Sequence, residues 1–224
     1  MKYIFFCTLP LIVSISCTAP SAPQKQSLEC YVRYLTPEGQ LHAEATLREM
    51  IAPQNTPRPI AAPGGIRYQE APMSAVQVQG PSYVLERPGG YPPRHEFSWV
   101  DACSKTHRFT MDMSPVTSFS FGNGALLSRE KPATFTWEGA PLERGEALVF
   151  LWESIDRRLT VPMDVIGAPG QRSIDFPAVK LSELSPGRWT LYIVRKKLTQ
   201  TTVDGIEASG IVEYYSQVDT LTVQ

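Results

Sequence analysis

A charge excess of either sign is the first thing this 224-residue chain lacks: 21 Lys+Arg stand against 22 Asp+Glu, a formal charge of −1. A protein that binds nucleic acid through phosphates needs a basic surplus, so that class is excluded. The familiar signatures of chemistry are missing too. The chain has no Gly-x-Ser-x-Gly elbow, no His-Glu-x-x-His pair, and no Gly-Lys step from which a phosphate loop could be built. Histidine is scarce, with His42, His95 and His107 alone. Charged residues are only 19% while 42% are hydrophobic, which rules out a self-repelling disordered chain. What is plentiful is proline, 20 residues, and glycine, 15, spread without a period. That excludes collagen and argues against long helices, and an aromatic content of 10% suits sheets.

The only long apolar run is at the start. Met1–Ser16 reads MKYIFFCTLPLIVSIS, one Lys and then an almost unbroken stretch from Tyr3 to Ile15. As a helix this stretch would reach about 20 Å, short of the ~30 Å hydrocarbon core. A basic start, a short apolar stretch and small residues at its end describe a secretory signal peptide over residues 1–16. A buried N-terminal strand or a short anchor helix is the alternative.

Ser14-Ile15-Ser16-Cys17 resembles the lipobox of bacterial lipoproteins, although that family usually places Leu, Val or Ile where Ser14 stands. The resemblance implies that Cys17 is lipidated and becomes the new N-terminus, anchoring the protein in the cell envelope. Thr18 is not the Asp that retains some lipoproteins in the inner membrane, which favours the outer membrane. The stretch 17–27, with Pro20 and Pro23 among small polar residues, has the composition of a flexible tether. With Cys7 leaving in the signal and Cys17 acylated, Cys30 and Cys103 remain. An even count in an oxidising compartment suggests a disulfide, which for so long a loop contributes about 4 kcal/mol; two separate thiols are the alternative.

The mature chain reads as strands. Glu29–Thr36 alternates, with Tyr31, Arg33 and Leu35 on one face and Cys30, Val32 and Tyr34 on the other. Pro37–Gln40 is a turn, and Leu41–Arg48 alternates strictly with apolar residues at odd positions, so the pair predicts a β-hairpin. A helix over Leu41–Ala52 competes on propensity alone. From Pro53 to Pro93, nine prolines in the stretch restrict it to short edge strands at Gly65–Gln69, Ala75–Gln79 and Tyr83–Arg87. His95–Val100 and Thr106–Met113 predict a second hairpin with Phe97, Trp99, Phe109 and Met111 inward and Cys103 at its tip.

A seam near residue 114 divides this N-terminal β domain, 28–114, from a cleaner strand pattern over 115–224. Strands are expected at Ala133–Trp137, Glu146–Glu153, Leu159–Val165, Arg172–Phe176, Gly187–Lys196 and Gly210–Val223, the arithmetic of a sandwich. Leu184-Ser185-Pro186-Gly187-Arg188-Trp189-Thr190-Leu191 resembles the corner before the penultimate strand of fibronectin type III and related immunoglobulin-like modules. Phe135-Thr136-Trp137 resembles their tryptophan-bearing second strand. The resemblance implies an immunoglobulin-like C-terminal module in which Leu184, Pro186, Gly187 and Trp189 are structural. The expected fold is therefore all-β, two β-sandwich-like domains in series behind signal and tether.

Several side chains are candidates for chemistry. Cys103, His107 and His95 fall short of the ligands a zinc site needs, and they read as polar residues on the outer face of a hairpin. No catalytic residue, cofactor or metal is expected. Arg195-Lys196-Lys197 reads as a solvated strand edge. Trp152 and Tyr192 form a candidate aromatic platform for sugars, against the reading that their phase is core. Thr199–Gly210 is the candidate protruding, partner-binding loop, a plain hairpin connection being the alternative. The expected function is a non-catalytic cell-envelope lipoprotein that docks or scaffolds an envelope protein or glycan. A carbohydrate-binding or adhesive lipoprotein is the alternative, and a hydrolase with an unrecognised site the third.

Overall fold

The computed structural model describes residues 25–51, 56–77, 79–165 and 167–224. The apolar start, Cys17 and the tether to residue 24 lie outside the described residues. The protein is all-β. Its N-terminal half contains β1 (Gln26–Leu35), β2 (Gln40–Ile51), β3 (Thr56–Pro59), β4 (Ile66–Tyr68), β5 (Ala71–Pro72), β6 (Ser74–Gln77), β7 (Pro81–Pro88), β8 (Arg94–Val100) and β9 (Thr106–Asp112). Then follow β10 (Ser118–Phe121), β11 (Leu126–Leu127), β12 (Ala133–Glu138), β13 (Glu146–Ser154), β14 (Thr160–Val165) and β15 (Ser173–Phe176). A single helical turn, α1 (Ala178–Leu181), precedes β16 (Gly187–Val203), β17 (Ile206–Tyr215) and β18 (Asp219–Val223).

Period-2 burial builds the first body. Leu28, Cys30 and Val32 of β1 and Leu41, Ala43, Ala45 and Leu47 of β2 are buried, while their neighbours in sequence face outward. The strictly alternating Leu41–Arg48 stretch is strand, because a helix would spread those apolar residues around its circumference. Opposite lies the four-stranded sheet β5-β4-β8-β9, which contributes Phe97, Trp99, Phe109 and Met111, all buried as expected. β7 is not an edge: it pairs with β2 on one side and β6 on the other. Its prolines, Pro81 and Pro88, stand at its two ends, where they interrupt no interior ladder.

The second body is a sandwich. One sheet is β10-β12-β15, and the other runs β14-β13-β16-β18 with β11 added parallel to β18. This division of strands between two sheets is the immunoglobulin-like arrangement. The core is aromatic, with Phe150 standing edge-on to both Phe135 and Phe176 at 4.7 Å and 84°. The Leu184–Trp189 corner lies where α1 feeds β16. Leu184 and Trp189 are fully buried, the Trp189 indole N–H donates to Ser185 O at 2.9 Å, and Gly187 takes φ +141°. That backbone conformation favours glycine.

The two bodies share strands. β16 is 17 residues long; its first half pairs with β13 and β18, and its second half continues into a hairpin with β17. β17 then lies parallel to β1 over nine pairs, from Ser27↔Glu207 to Leu35↔Tyr215. The Thr199–Gly210 segment is thus two paired strands around Asp204-Gly205, and not a protruding loop. Positive φ at both turn residues, 52° and 86°, matches the tight turn that follows strand twist. Two bodies in series therefore have a continuous hydrogen-bonded ladder between them, a feature that local sequence patterns did not announce. β1 also starts at Gln26, inside the stretch read as tether, and Lys25 O accepts a bond from Met50 N at 2.9 Å.

Close packing against the shared hairpin explains Gly210. A Cβ there would overlap Met111 Sδ and come within 3.0 Å of the Phe109 ring, so β17 can lie on β9 only without a side chain at this point.

Candidate functional site

The outward side of the shared sheet is a continuous surface across β2, β1, β17 and β16. Its rows can be read from register. Glu44, Tyr31, Ile211 and Leu198 stand side by side across β2, β1, β17 and β16. The next row is His42, Arg33, Glu213 and Lys196, and the one beyond it Gln40, Leu35, Tyr215 and Val194. On the other side of Tyr31 come Thr46, Glu29, Ser209 and Gln200, then Arg48, Ser27, Glu207 and Thr202. Two grooves, of about 530 and 400 Å³, run over this face and share Glu29, Gln200 and Ser209. A third notch of about 220 Å³ opens at the end nearer the second body.

Charges on the face are mostly paired. Arg48 holds Glu29 at 2.9 Å, Lys25 holds Glu207 at 2.8 Å, and Lys196 holds Glu213 at 3.1 Å. His42 lies between Glu44 (2.7 Å) and Glu86 (2.9 Å). The Tyr31 hydroxyl donates to Glu213 Oε2 at 2.7 Å. Burial, then that bond to a carboxylate, pushes the Tyr31 phenol up, so it stays a neutral donor.

The other two histidines are inside. His95 and His107 share the odd phase of Phe97 and Phe109, so they turn inward with them and are 0% and 3% exposed. The expectation of an outer hairpin face is corrected by that parity. His95 Nδ1 is 2.7 Å from the Tyr68 hydroxyl and Nε2 is 3.2 Å from that of Tyr91. Burial without a carboxylate partner lowers its pKa to about 4. His107 stacks on Trp99 and bridges Asp101 and Asp204, at 3.1 and 2.8 Å, fastening the β8–β9 tip to the β16–β17 tip. Both carboxyls are held below the usual range. For Asp101 the main cause is the backbone N–H of Lys105, and for Asp204 the Lys105 side chain; the imidazole adds to both.

Other expected residues fall as follows. Cys30 is buried in β1 and Cys103 is exposed at the β8–β9 tip, and no disulfide joins them. The correction has a simple cause: alternation aims Cys30 into the core, whereas Cys103 sits in a surface turn. Arg195 is not a solvated edge. It is 0% exposed, on the inward phase of β16, bound to Glu146 and to the carbonyls of Ala140 and Pro141 at 3.0 and 2.7 Å. Lys196 reaches solvent and pairs with the largely covered Glu213, whereas Lys197 is itself largely covered and pairs with the exposed Glu143. Trp152 is fully buried in phase with Leu148 and Phe150, so it is core and not a sugar platform. Tyr192 does face outward, with its ring 6.1 Å from that of Tyr215.

Sequence reasoning did not single out Arg33, Tyr31 and Tyr215 as functional. The signal for the first two was present, since alternation had already put Tyr31, Arg33 and Leu35 on the face opposite Cys30.

No protein-family model matches the chain, and no curated protein matches it. Among solved structures, the fibronectin(III)-like modules of Clostridium thermocellum CbhA align at 8% identity, covering 90% of each chain, with a TM-score of 0.25. The FN1–FN3 domains of chicken CNTN1 align at 10% identity over 90% of this chain and 67% of that one, with a TM-score of 0.25. SGBP-B of the Bacteroides ovatus mixed-linkage glucan utilization locus, solved with a mixed-linkage heptasaccharide, aligns at 13% over 86% and 60%, with a TM-score of 0.21. At these scores the superpositions carry no argument, and the fold assignment rests on strand order.

Proposed function

We propose that this protein is a non-catalytic binding or scaffold module of the bacterial cell envelope, held to the outer membrane by lipid on Cys17. The observation that carries the binding reading is the grooved outer face, assembled from β2, β1, β17 and β16, where hydroxyls, amides, tyrosines and mostly paired charges stand beside the apolar Ile211 and Leu198. Such a face offers many hydrogen bonds and little net field, which suits an extended polar ligand. The lipobox resemblance supports the anchor. Each buried methylene contributes ~0.8 kcal/mol, so a multiply acylated cysteine holds almost irreversibly. Cys17 precedes Lys25 by eight residues, which span at most about 28 Å when extended, so the Lys25–Glu207 end of the face lies near the bilayer.

Two measurements test the two halves of this reading. Cys17→Ser should abolish palmitate labelling and move the protein to the soluble fraction; unchanged membrane retention refutes the anchor. A photo-crosslinking side chain placed at Gln200 or Ser209 should give specific adducts in the envelope, while one at Thr134 on the far sheet should not. Equal yields, or none from the groove, refute the binding face.

A further inference from the structure

Arg33 stands in the middle of the outer face with nothing to hold. The other ionisable members of its row are engaged: His42 by Glu44 and Glu86, Glu213 by Lys196 and the Tyr31 hydroxyl. Arg33 has no hydrogen bond or ion pair among the described residues, and its Nε is shielded from solvent without an acceptor. Leaving such a donor unsatisfied is costly, more so for a charged group, and a ligand acceptor would recover that cost. Its neighbours on either side are Tyr31 and Tyr215, whose phenols feel its positive charge.

The next row opens the notch. β17 leaves the sheet at Ser216, whose hydroxyl accepts from Ile193 N at 2.9 Å, and the chain jogs through Gln217 before β18 begins. The gap left behind is lined by Leu35, Pro37, Glu38, Tyr192, Tyr215 and Val218, with about 220 Å³ of space. Val218 is 51% exposed, and the two tyrosine rings are tilted 32° to each other as adjoining walls. An unpaired guanidinium therefore sits one row from an apolar, aromatic-walled recess.

We propose that Arg33 and this notch form a subsite for one carboxylate-bearing sugar ring at the end of an otherwise neutral oligosaccharide. The proposal rests on the reading of this face as a binding surface, and it names the ligand class. The carboxylate takes the guanidinium fork, whose planar donors match it in pairs. The apolar face of the ring lies against Tyr215 and Tyr192. Charge decides against richer anions. Glu213 beside Arg33 and Glu38 on the rim oppose a dianion, and Arg48, Lys25 and Lys196 are already spent on carboxylates, so a polyanion finds no second cation. Topology decides against an added peptide strand. Both edges of β1 are occupied, by β2 and β17, so no backbone groups remain for strand addition and recognition must come from side chains. The neutral remainder of the chain runs toward Gln200, Thr202 and Ser209.

The test is calorimetric titration of the full chain in detergent with two matched pairs: sialyllactose against lactose, and a glucuronate-capped xylotriose against xylotriose. The pairs separate sialic from uronic acid as the source of the carboxylate. At least one acidic member should bind, at least tenfold more tightly than its neutral partner. Arg33→Gln should erase that difference, Arg33→Lys should restore part of it, and Tyr215→Ala should weaken the acidic ligand at least tenfold. Because Arg33 is outward and its shielded Nε has no acceptor, Arg33→Gln should melt at or above the wild-type temperature. Equal binding of acidic and neutral members, an unaffected Arg33→Gln, or no binding of either acid overturns the proposal. Neutral sugars binding alone would overturn it while leaving the wider binding face standing, and loss of groove crosslinking would instead remove that wider reading.

Discussion

His95 should make the stability of this protein sensitive to mild acid, and its bonding gives the reason. The Tyr91 hydroxyl donates to Met113 O at 2.9 Å, so toward His95 Nε2 it acts as acceptor and Nε2 carries the proton. Nδ1 then accepts from Tyr68, and the neutral ring is satisfied at both ends. A second proton has no acceptor except the oxygen that is already donating. The other groups around it offer no relief: Met111 lies opposite on β9, Arg87 sits over the Tyr68 ring, and Glu146 beyond Tyr91 is committed to Arg195. The folded pKa is about 4, whereas the unfolded chain titrates at roughly 6.5. A depressed folded value means stability is full above pH 6.5 and is lost as pH falls toward 4, by about 3 kcal/mol in all and about 2 kcal/mol at pH 5.

Urea unfolding at pH 7.5 and pH 5 measures this directly. His95→Gln places an amide that can accept from Tyr68 and donate to Tyr91 but takes no proton. The wild type should lose about 2 kcal/mol more than His95→Gln between those pH values, since carboxylate effects common to both cancel. NMR titration should show the His95 ring still neutral at pH 5. Equal losses in the two proteins, or a ring protonated near pH 6.5, would refute the reasoning.

Other outcomes follow from the packing. Gly210→Ala should cost about 1–3 kcal/mol by forcing Met111 and Phe109 from their rotamers, read as a lower urea midpoint; a neutral result means β9 and β17 are not in close contact. Arg195→Met should cost about 3–5 kcal/mol because it strands the buried Glu146 carboxylate, and adding Glu146→Leu should recover most of the loss. If the double variant stays as weak as the single one, the carboxylate is not the source of the penalty. Limited proteolysis is expected to cut between 114 and 124, at the proposed seam, yet the two fragments should co-elute under native conditions because β17 remains paired with β1. Separation of the fragments would refute the shared ladder.

Much of this architecture is legible from local patterns. Alternation over Leu41–Arg48 and His95–Met113 set which side chains are inward, whereas the Asp204-Gly205 step did not decide between a protruding loop and the hairpin that the structure shows. The same rule, applied strictly, would also have turned His95 and His107 inward, since they share the parity of Phe97 and Phe109. The candidate face was half visible, because period 2 separates Tyr31, Arg33 and Leu35 from Cys30, Val32 and Tyr34.

What composition and periodicity determined, then, is an all-β chain with two turn-rich strand sets and no recognisable catalytic motif. Only the tertiary structure decided that β17 runs beside β1, that Arg195 is buried against Glu146, that Cys30 and Cys103 stand apart, and that Arg33 has no partner among the described residues. The physical reason is that side-chain period reports which face of a strand is dry. The identity of the neighbouring strand comes from packing between segments far apart in sequence, as with Cys30 opposite Gly210.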